Sequence, residues 1–176
     1  MNRFPTIPLL QRLFQLFVTV EEVIPHLVYQ VNGRHSLPED VYERLLVLLF
    51  KIRLESYLWG VGHPLASKGE LVTTEQWERE KDDPLVQARL LLDAAWALPR
   101  PLPSPMWEIR FDCTFAKENN ARGTSMHLHT CLGSADIHFT PELANALSQG
   151  GSETDHPSYR FFHAQCLRSI KQYSSA

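Results

Sequence analysis

The residues best suited to chemistry are histidines in the C-terminal part of the sequence. Five of the eight histidines lie there: His127, His129, His138, His156 and His163. The Gly133-Ser134 step among them is typical of a two-residue hairpin loop, because Gly adopts the positive φ that a type II′ turn requires. This turn predicts that His129 pairs with His138 across two antiparallel strands, with His127 diagonally within reach on the same face.

Three neutral imidazoles and a carboxylate can hold zinc or another divalent metal and leave one position for water. We expect Asp112 to supply the carboxylate, because pairing of its strand with the next one would place it beside His129. The sequence thus predicts a metal site at His127, His129 and His138, and it indicates no other cofactor. Alternatively, an Asp–His pair can act as a general base, since the carboxylate fixes the tautomer of the imidazole.

The same polar face has a simpler interpretation, in which its Thr, His and Asp side chains are solvated and have no chemical role. His-x-His spacing is common in strands, and a motif without structural context is only a hypothesis. The sequence favours this interpretation over a metal or acid–base site. Cys131 lies on the same face near His129, but a surface thiol is favoured over a nucleophile, because no feature that would lower its pKa is evident.

Alternating apolar and polar residues predict the strands that carry these side chains. The alternation covers residues 107–115, 126–132 and 135–139. One apolar and one polar face in each strand is typical of an antiparallel sheet that is covered on one side only. We therefore expect a three-stranded antiparallel meander. Thr140-Pro141 and Pro157 then indicate the starts of two C-terminal helices.

Residues 1–98 have apolar residues at helical spacing instead. A first helix is predicted over residues 9–20 and a second over Glu22 to Asn32. The third begins at a Ser36-x-x-Glu39 capping box and ends before Gly60. In this third helix, the apolar stripe expected to face the protein core consists of Val41, Leu45, Leu48, Leu49, Ile52 and Leu58. Thr73-x-x-Gln76 and Asp83-Pro84 indicate two further helix starts.

Four prolines between Pro99 and Pro105 separate the two parts, because proline removes backbone donors and interrupts both helix and central strand. The sequence therefore predicts an α+β fold over residues 1–176 as a single domain. Its parts are an N-terminal helical layer (1–98), a proline-rich crossover (99–105), and the meander with two C-terminal helices (106–176). The apolar face of the sheet should pack on helices.

Composition narrows the classes of partner. The chain has 17 Lys+Arg against 20 Asp+Glu, a formal net charge of −3, and no basic run, so binding of nucleic acid is not expected. The longest apolar run is far shorter than the ~20 residues that span a bilayer, so no membrane association is expected either. An odd number of cysteines, three, and the lack of a signal-peptide pattern predict a reduced, cytoplasmic, soluble protein.

The function predicted from these features is that of a non-enzymatic, protein-binding accessory or regulatory module. Its partner would be another protein, bound through Arg110, Asp112 and Arg122, with Arg122 in the polar loop 117–124. The alternative is a small metal-dependent or His/Asp-based enzyme that uses the histidine-rich sheet face. The sequence leaves the choice between binding module and enzyme open, because the first interpretation depends mainly on a lack of catalytic motifs.

Overall fold

The protein has an α+β fold of helices and a four-stranded mixed sheet. The computed structural model describes residues 19–96, 107–115, 125–129, 132–150 and 156–174. The helices in these ranges are α1 (Val20–Val23), α2 (Val41–Leu58), α3 (Thr74–Glu80), α4 (Val86–Trp96), α5 (Pro141–Ser148) and α6 (Pro157–Ser174). The strands are β1 (Leu27–Val31), β2 (Ile109–Phe115), β3 (Met126–His129) and β4 (Ser134–Phe139).

The order of the strands is β1-β2-β4-β3, so the predicted three-stranded antiparallel meander is wrong. Strands β1, β2 and β4 are parallel, and β3 is antiparallel to its neighbour β4, so β1 and β3 are the two edges. β4 lies between β2 and β3, and its inward residues Ala135 and Ile137 are fully buried. Alternation predicted the faces of β2, β3 and β4 correctly, but it contains no information about which strand lies beside which.

The predicted second helix, from Glu22 to Asn32, is also wrong. Pro25 lies in a 3₁₀ turn (Ile24–His26) that directly follows α1, and the next five residues form β1. Every residue of β1 pairs with β2, from Leu27 with Ile109 to Val31 with Cys113. Pairing with a distant strand therefore outweighs the local helical pattern, which is a weak determinant for so short a segment.

The third predicted helix, α2, exists, but its start and its buried side differ from the prediction. Asp40 rather than Ser36 is the N-cap, and its carboxylate accepts a hydrogen bond from the Glu43 backbone N at 2.9 Å. The core-facing residues are Leu46, Val47, Phe50, Leu54, Tyr57 and Leu58. Of the stripe expected to be buried, Val41, Leu45, Leu48 and Ile52 are exposed. Because α2 is apolar on two sides, periodicity alone could not determine which side faces the core.

The remaining helices form where the sequence predicted them. Thr73 caps α3 by accepting from the Gln76 backbone N, and Thr140 caps α5 by accepting from the Leu143 backbone N. The helix expected after Asp83-Pro84 is α4, and the last predicted helix is α6. The described residues do not include the predicted helix 9–20, apart from its last two positions, or the crossover 99–105.

One face of the sheet is covered by helices, and the core lies between these two layers. The ring of Phe50 on α2 packs edge-on against rings from the sheet and from α6. The opposite face of the sheet carries the polar residues of each strand.

A matched pair of leucine substitutions tests the orientation of α2. We expect Leu54→Ala to lower the free energy of unfolding by about 3 kcal/mol, because the side chain is fully buried and leaves a cavity. We expect Leu45→Ala to change it by less than about 0.5 kcal/mol, since that side chain is largely solvated. Urea denaturation at neutral pH measures both values. Equal losses in the two variants would contradict the orientation.

Candidate functional site

The histidines predicted to form a site lie on the polar face of the sheet, as expected, but in a different register. His129 pairs with Ser134, and His127 pairs with Asp136. The predicted pairing of His129 with His138 is therefore wrong, because the loop between β3 and β4 has four residues (130–133) rather than two. Gly133 does have the expected positive φ, at 58°. A shift by an even number of residues leaves every side chain on its predicted face.

This register brings His129 together with an acidic residue that the sequence had not assigned to a site. His129 Nε2 lies 2.8 Å from Asp136 Oδ2 on the neighbouring strand, and both side chains are partly exposed. The ring centroid of His127 lies 4.8 Å from that of His129, and the two rings are nearly perpendicular. The result is an Asp–His pair with a second imidazole beside it, open to solvent.

The other predicted site residues have separate partners. Asp112 lies beside Asp136 in β4 and Gln30 in β1, not beside His129, and its carboxylate accepts from the Gly33 backbone N at 3.1 Å. His138 Nδ1 lies 2.6 Å from the Thr114 hydroxyl. Within the described ranges, no group of three or more His, Cys, Asp or Glu side chains is placed to hold a metal ion.

Of the two arginines predicted to bind a partner, Arg110 lies within the described residues and Arg122 lies outside them. Arg110 is exposed on the polar face, where its Nε lies 3.5 Å from the carboxylate of Glu108. Arg122 and the loop 117–124 lie outside the described residues, and so does Cys131. Among the described residues, the polar face carries exposed Arg110 and the partly exposed His129–Asp136 pair.

A buried histidine pair is the polar feature that sequence reasoning missed. His63 follows α2, His163 lies on α6, and both are buried. His63 Nδ1 lies 3.1 Å from His163 Nε2, and His63 Nε2 lies 2.8 Å from Glu80 Oε2 on α3. His163 Nδ1 lies 3.4 Å from the hydroxyl of Tyr57 on α2. We call Glu80, His63, His163 and Tyr57 the histidine relay.

The carboxylate of Glu80 sets the direction of hydrogen bonding along the histidine relay, because an ionised carboxylate can only accept. His63 Nε2 therefore donates to Glu80; when His63 is neutral, its Nδ1 accepts from His163 Nε2–H, and His163 Nδ1 accepts from the Tyr57 hydroxyl. Burial and the neighbouring His63 lower the pKa of His163 to about 3, so His163 is neutral. Partial burial raises the pKa of Glu80, but hydrogen bonds from Arg79, His63 and Gln76 prevail and lower it to about 2.

The hydrogen bonds of the histidine relay link α2, α3 and α6 in the interior, so they hold these three helices together. One signal in the sequence pointed to it. His163 lies four residues after Tyr159 and one after Phe162, which places it on the apolar side of the last helix. No comparable signal marks His63, since its partners are distant along the chain.

A row of exposed apolar side chains follows one side of α2 and ends at Trp59, directly after the helix. Its residues are Val41, Leu45, Leu48, Ile52 and Trp59, with Glu55 between the last two, and we call this set the α2 seam. The exposed fractions of its apolar members range from 40% for Leu48 to 77% for Val41. When Glu55 is included, the spacing of the six positions alternates between four and three residues, which is the spacing of a coiled-coil seam.

Charged and apolar side chains flank the α2 seam on different edges. Arg44 and Lys51 are exposed on one edge. Tyr42, which is exposed, and Leu49, which is partly buried, lie on the other edge. The α2 seam is therefore an apolar strip with one basic edge.

Comparisons with known proteins give no independent indication of function. Family models, curated proteins and solved structures all yield no match to the chain. No helix in the described ranges is long and apolar enough to cross a membrane.

The histidine relay predicts that acid destabilises the fold. In the unfolded chain the pKa of His163 returns to its ordinary value of 6.5, so below about pH 6.5 the unfolded state binds a proton that the folded state does not. The free energy of unfolding should fall as pH drops from 7 towards 3, by at most about 1.4 kcal/mol per pH unit for this group. Glu80 adds a further loss below its ordinary pKa of 4.5.

Urea denaturation between pH 7 and pH 5 measures this slope. The variant His163→Gln should be less stable at pH 7 but show a shallower slope, because it has no imidazole to protonate. Exposed His127 provides the control, and His127→Gln should keep the slope of the wild type. An unchanged slope in His163→Gln would contradict the assignment of a neutral buried imidazole.

Proposed function

We propose that this chain is a non-enzymatic protein-interaction module that binds a helix of another protein through the α2 seam. The observation that carries the proposal is the exposure of four large apolar side chains along one side of α2, with exposed Trp59 directly after its last residue. Isolated apolar residues are common on protein surfaces, but a contiguous apolar strip with polar borders is typical of an interaction site. Helix-in-groove and coiled-coil contacts use this spacing.

The rigidity of α2 supports this role. The helix is anchored from its buried side by Phe50 and Leu54, which are fully buried. Arg53 adds hydrogen bonds to the backbone oxygens of Leu147 and Gln149 near the end of α5. A surface held in this way loses little conformational entropy on binding, and this favours affinity.

We place this activity in the cytoplasm, as the sequence predicted. Cys113 and Cys166 are free thiols in the core, and burial raises the pKa of each to about 12, so both remain protonated. Unpaired, unreactive thiols are typical of proteins in reducing compartments. The polar sheet face with Arg110 and Asp112 remains a second surface for the same partner.

A second candidate function is supported by the His129–Asp136 pair. The 2.8 Å contact would orient the imidazole for general-base catalysis, with His127 beside it. Binding of a divalent metal by His127 and His129 belongs to this candidate. It ranks below the interaction module, because no nucleophile is placed beside the pair in the described part of the chain.

Affinity purification from the native cells tests the interaction module. The seam variant Leu45→Glu/Ile52→Glu should recover at least about tenfold less of any partner that the wild type retains, because it places charges in the apolar contact. The control Leu65→Glu changes an equally apolar, exposed residue outside the α2 seam and should behave as the wild type. Equal recovery by the folded seam variant, or no partner for the wild type, would refute the proposal.

Elemental analysis of protein purified without a histidine tag tests the enzyme candidate. Under the interaction proposal we expect zinc, nickel and iron at trace levels only, and the same melting temperature with and without chelator. Stoichiometric metal in the wild type that disappears in His129→Ala would transfer the assignment to a metal-dependent enzyme. The control His138→Ala should leave any such metal in place, since His138 contacts Thr114 instead.

A further inference from the structure

We infer that the helix bound by the α2 seam carries acidic side chains along one edge of its own apolar strip. This inference rests on the proposed function and adds the chemistry of the partner. It follows from the distribution of charge around the α2 seam, from the contacts that hold those charges, and from one polar residue within the strip.

The dimensions of the α2 seam fit a helix of similar length. Val41 to Trp59 spans about 27 Å at 1.5 Å per residue. Six positions separated by four, three, four, three and four residues lie along this length, and five of them are apolar. Such spacing keeps a seam in contact with a second helix over several turns, whereas a strand would contact only two or three of the positions.

The basic edge determines which helix fits. Arg44 and Lys51 lie seven residues apart, so they occupy equivalent positions in successive heptads beside the seam. Neither side chain forms a salt bridge in the ranges that the structure describes. Acidic residues at the facing positions of a partner would pair with both, as flanking charges do in coiled coils.

Both cations are held in place before any partner binds. The guanidinium of Arg44 donates to the backbone oxygens of Pro38 and Glu39 at 3.0 and 3.2 Å. The ammonium of Lys51 lies 5.8 Å from the centre of the Tyr29 ring. The carbonyl oxygens and the aromatic ring carry no formal charge of their own, and Lys51 lies four residues before Glu55 on the same helix.

Glu55 restricts the partner further. It occupies the fifth of the six positions of the seam, between Ile52 and Trp59, and is partly buried. A polar residue within an apolar seam fixes the register of the two helices, because only one register gives it a partner. The bound helix therefore carries a hydrogen-bond donor, such as Lys, Arg or Asn, opposite Glu55.

A second copy of the chain fits this pattern poorly. In an antiparallel pair of α2 helices, the basic edges would face each other, with Arg44 near Lys51 of the other copy. In a parallel pair, the cations would face Leu49 and Ser56 of the other copy. Neither arrangement supplies a carboxylate to the basic edge, so self-association leaves the charges unpaired.

Two further occupants also lack the necessary chemistry. Residues 1–18 have an apolar pattern of their own, but they include Arg3 and Arg12 and no acidic residue. An anionic lipid surface would attract Arg44 and Lys51, but it would bring the carboxylate of Glu55 into the interface. An acidic amphipathic helix is the occupant that satisfies the apolar strip, the basic edge and Glu55 together.

Three synthetic helical peptides test the inference. All share one Leu/Ile heptad seam with a single Lys opposite Glu55, and their flanking positions carry Glu, Gln or Lys. We expect the Glu peptide to bind the full chain about tenfold more tightly than the Lys peptide, and the ratio to shrink as salt is raised. Calorimetry gives the affinities, and the fluorescence of Trp59 at the end of the seam reports contact there.

Variants assign the discrimination to named residues. Arg44→Gln/Lys51→Gln should bind all three peptides with similar affinity, and Lys51→Gln alone should show an intermediate ratio even if the loss of Arg44 weakens the fold. Arg110→Gln removes an exposed cation on the sheet and should leave the ratio unchanged. Leu45→Glu should abolish binding of every peptide.

The outcomes separate the inference from the proposed function. Equal or tighter binding of the Lys peptide, or no binding of the Glu peptide, would overturn the acidic helix. So would a dimer by sedimentation, or binding to phosphatidylserine vesicles, that Leu45→Glu abolishes. The interaction module itself falls if, in the affinity purification, the seam variant retains the native partner or the wild type recovers none.

Discussion

The packing of Phe50 is the contact on which the rest of the structure depends. Its ring is fully buried on α2, and ring centroids from β1, β2, the end of β4 and α6 lie 5.3–6.3 Å away. Edge-on aromatic contacts of this kind add to the free energy of burial. Because Phe50 must face the sheet, the rotation of α2 about its axis is fixed. Val41, nine residues earlier, then points in the opposite direction, so the exposure of the α2 seam follows from the core.

Local signals explain how much of the fold was predictable from the sequence. The caps at Thr73 and Thr140 and the alternation in β2 and β4 are determined by neighbouring residues, and the structure contains them where they were predicted. The failures are non-local. β1 forms because β2 offers it a backbone partner, and α2 turns its Phe50 side inward although both of its sides are apolar. Hydrophobic periodicity identifies an element but does not identify its neighbour.

The candidate site shows the same division. The face on which His127 and His129 lie was predictable, since it depends only on alternation. The register was not, because it depends on the length of the loop between β3 and β4, and Gly133 is equally suited to a longer loop. The histidine relay as a whole was not predictable for a different reason. Its members become neighbours only when α2, α3 and α6 pack, although the position of His163 on its helix indicated burial.

The pairing of β1 with β2 joins residues 27–31 to residues 109–113, with α2, α3 and α4 between them along the chain. Closing so long a loop costs entropy before any ladder hydrogen bond forms, so this pairing is slow compared with the β3–β4 hairpin. During synthesis the N-terminal part emerges first. The backbone of β1 therefore stays unpaired until residue 113 has left the ribosome, and in that interval it is an open edge to which another nascent chain can bind.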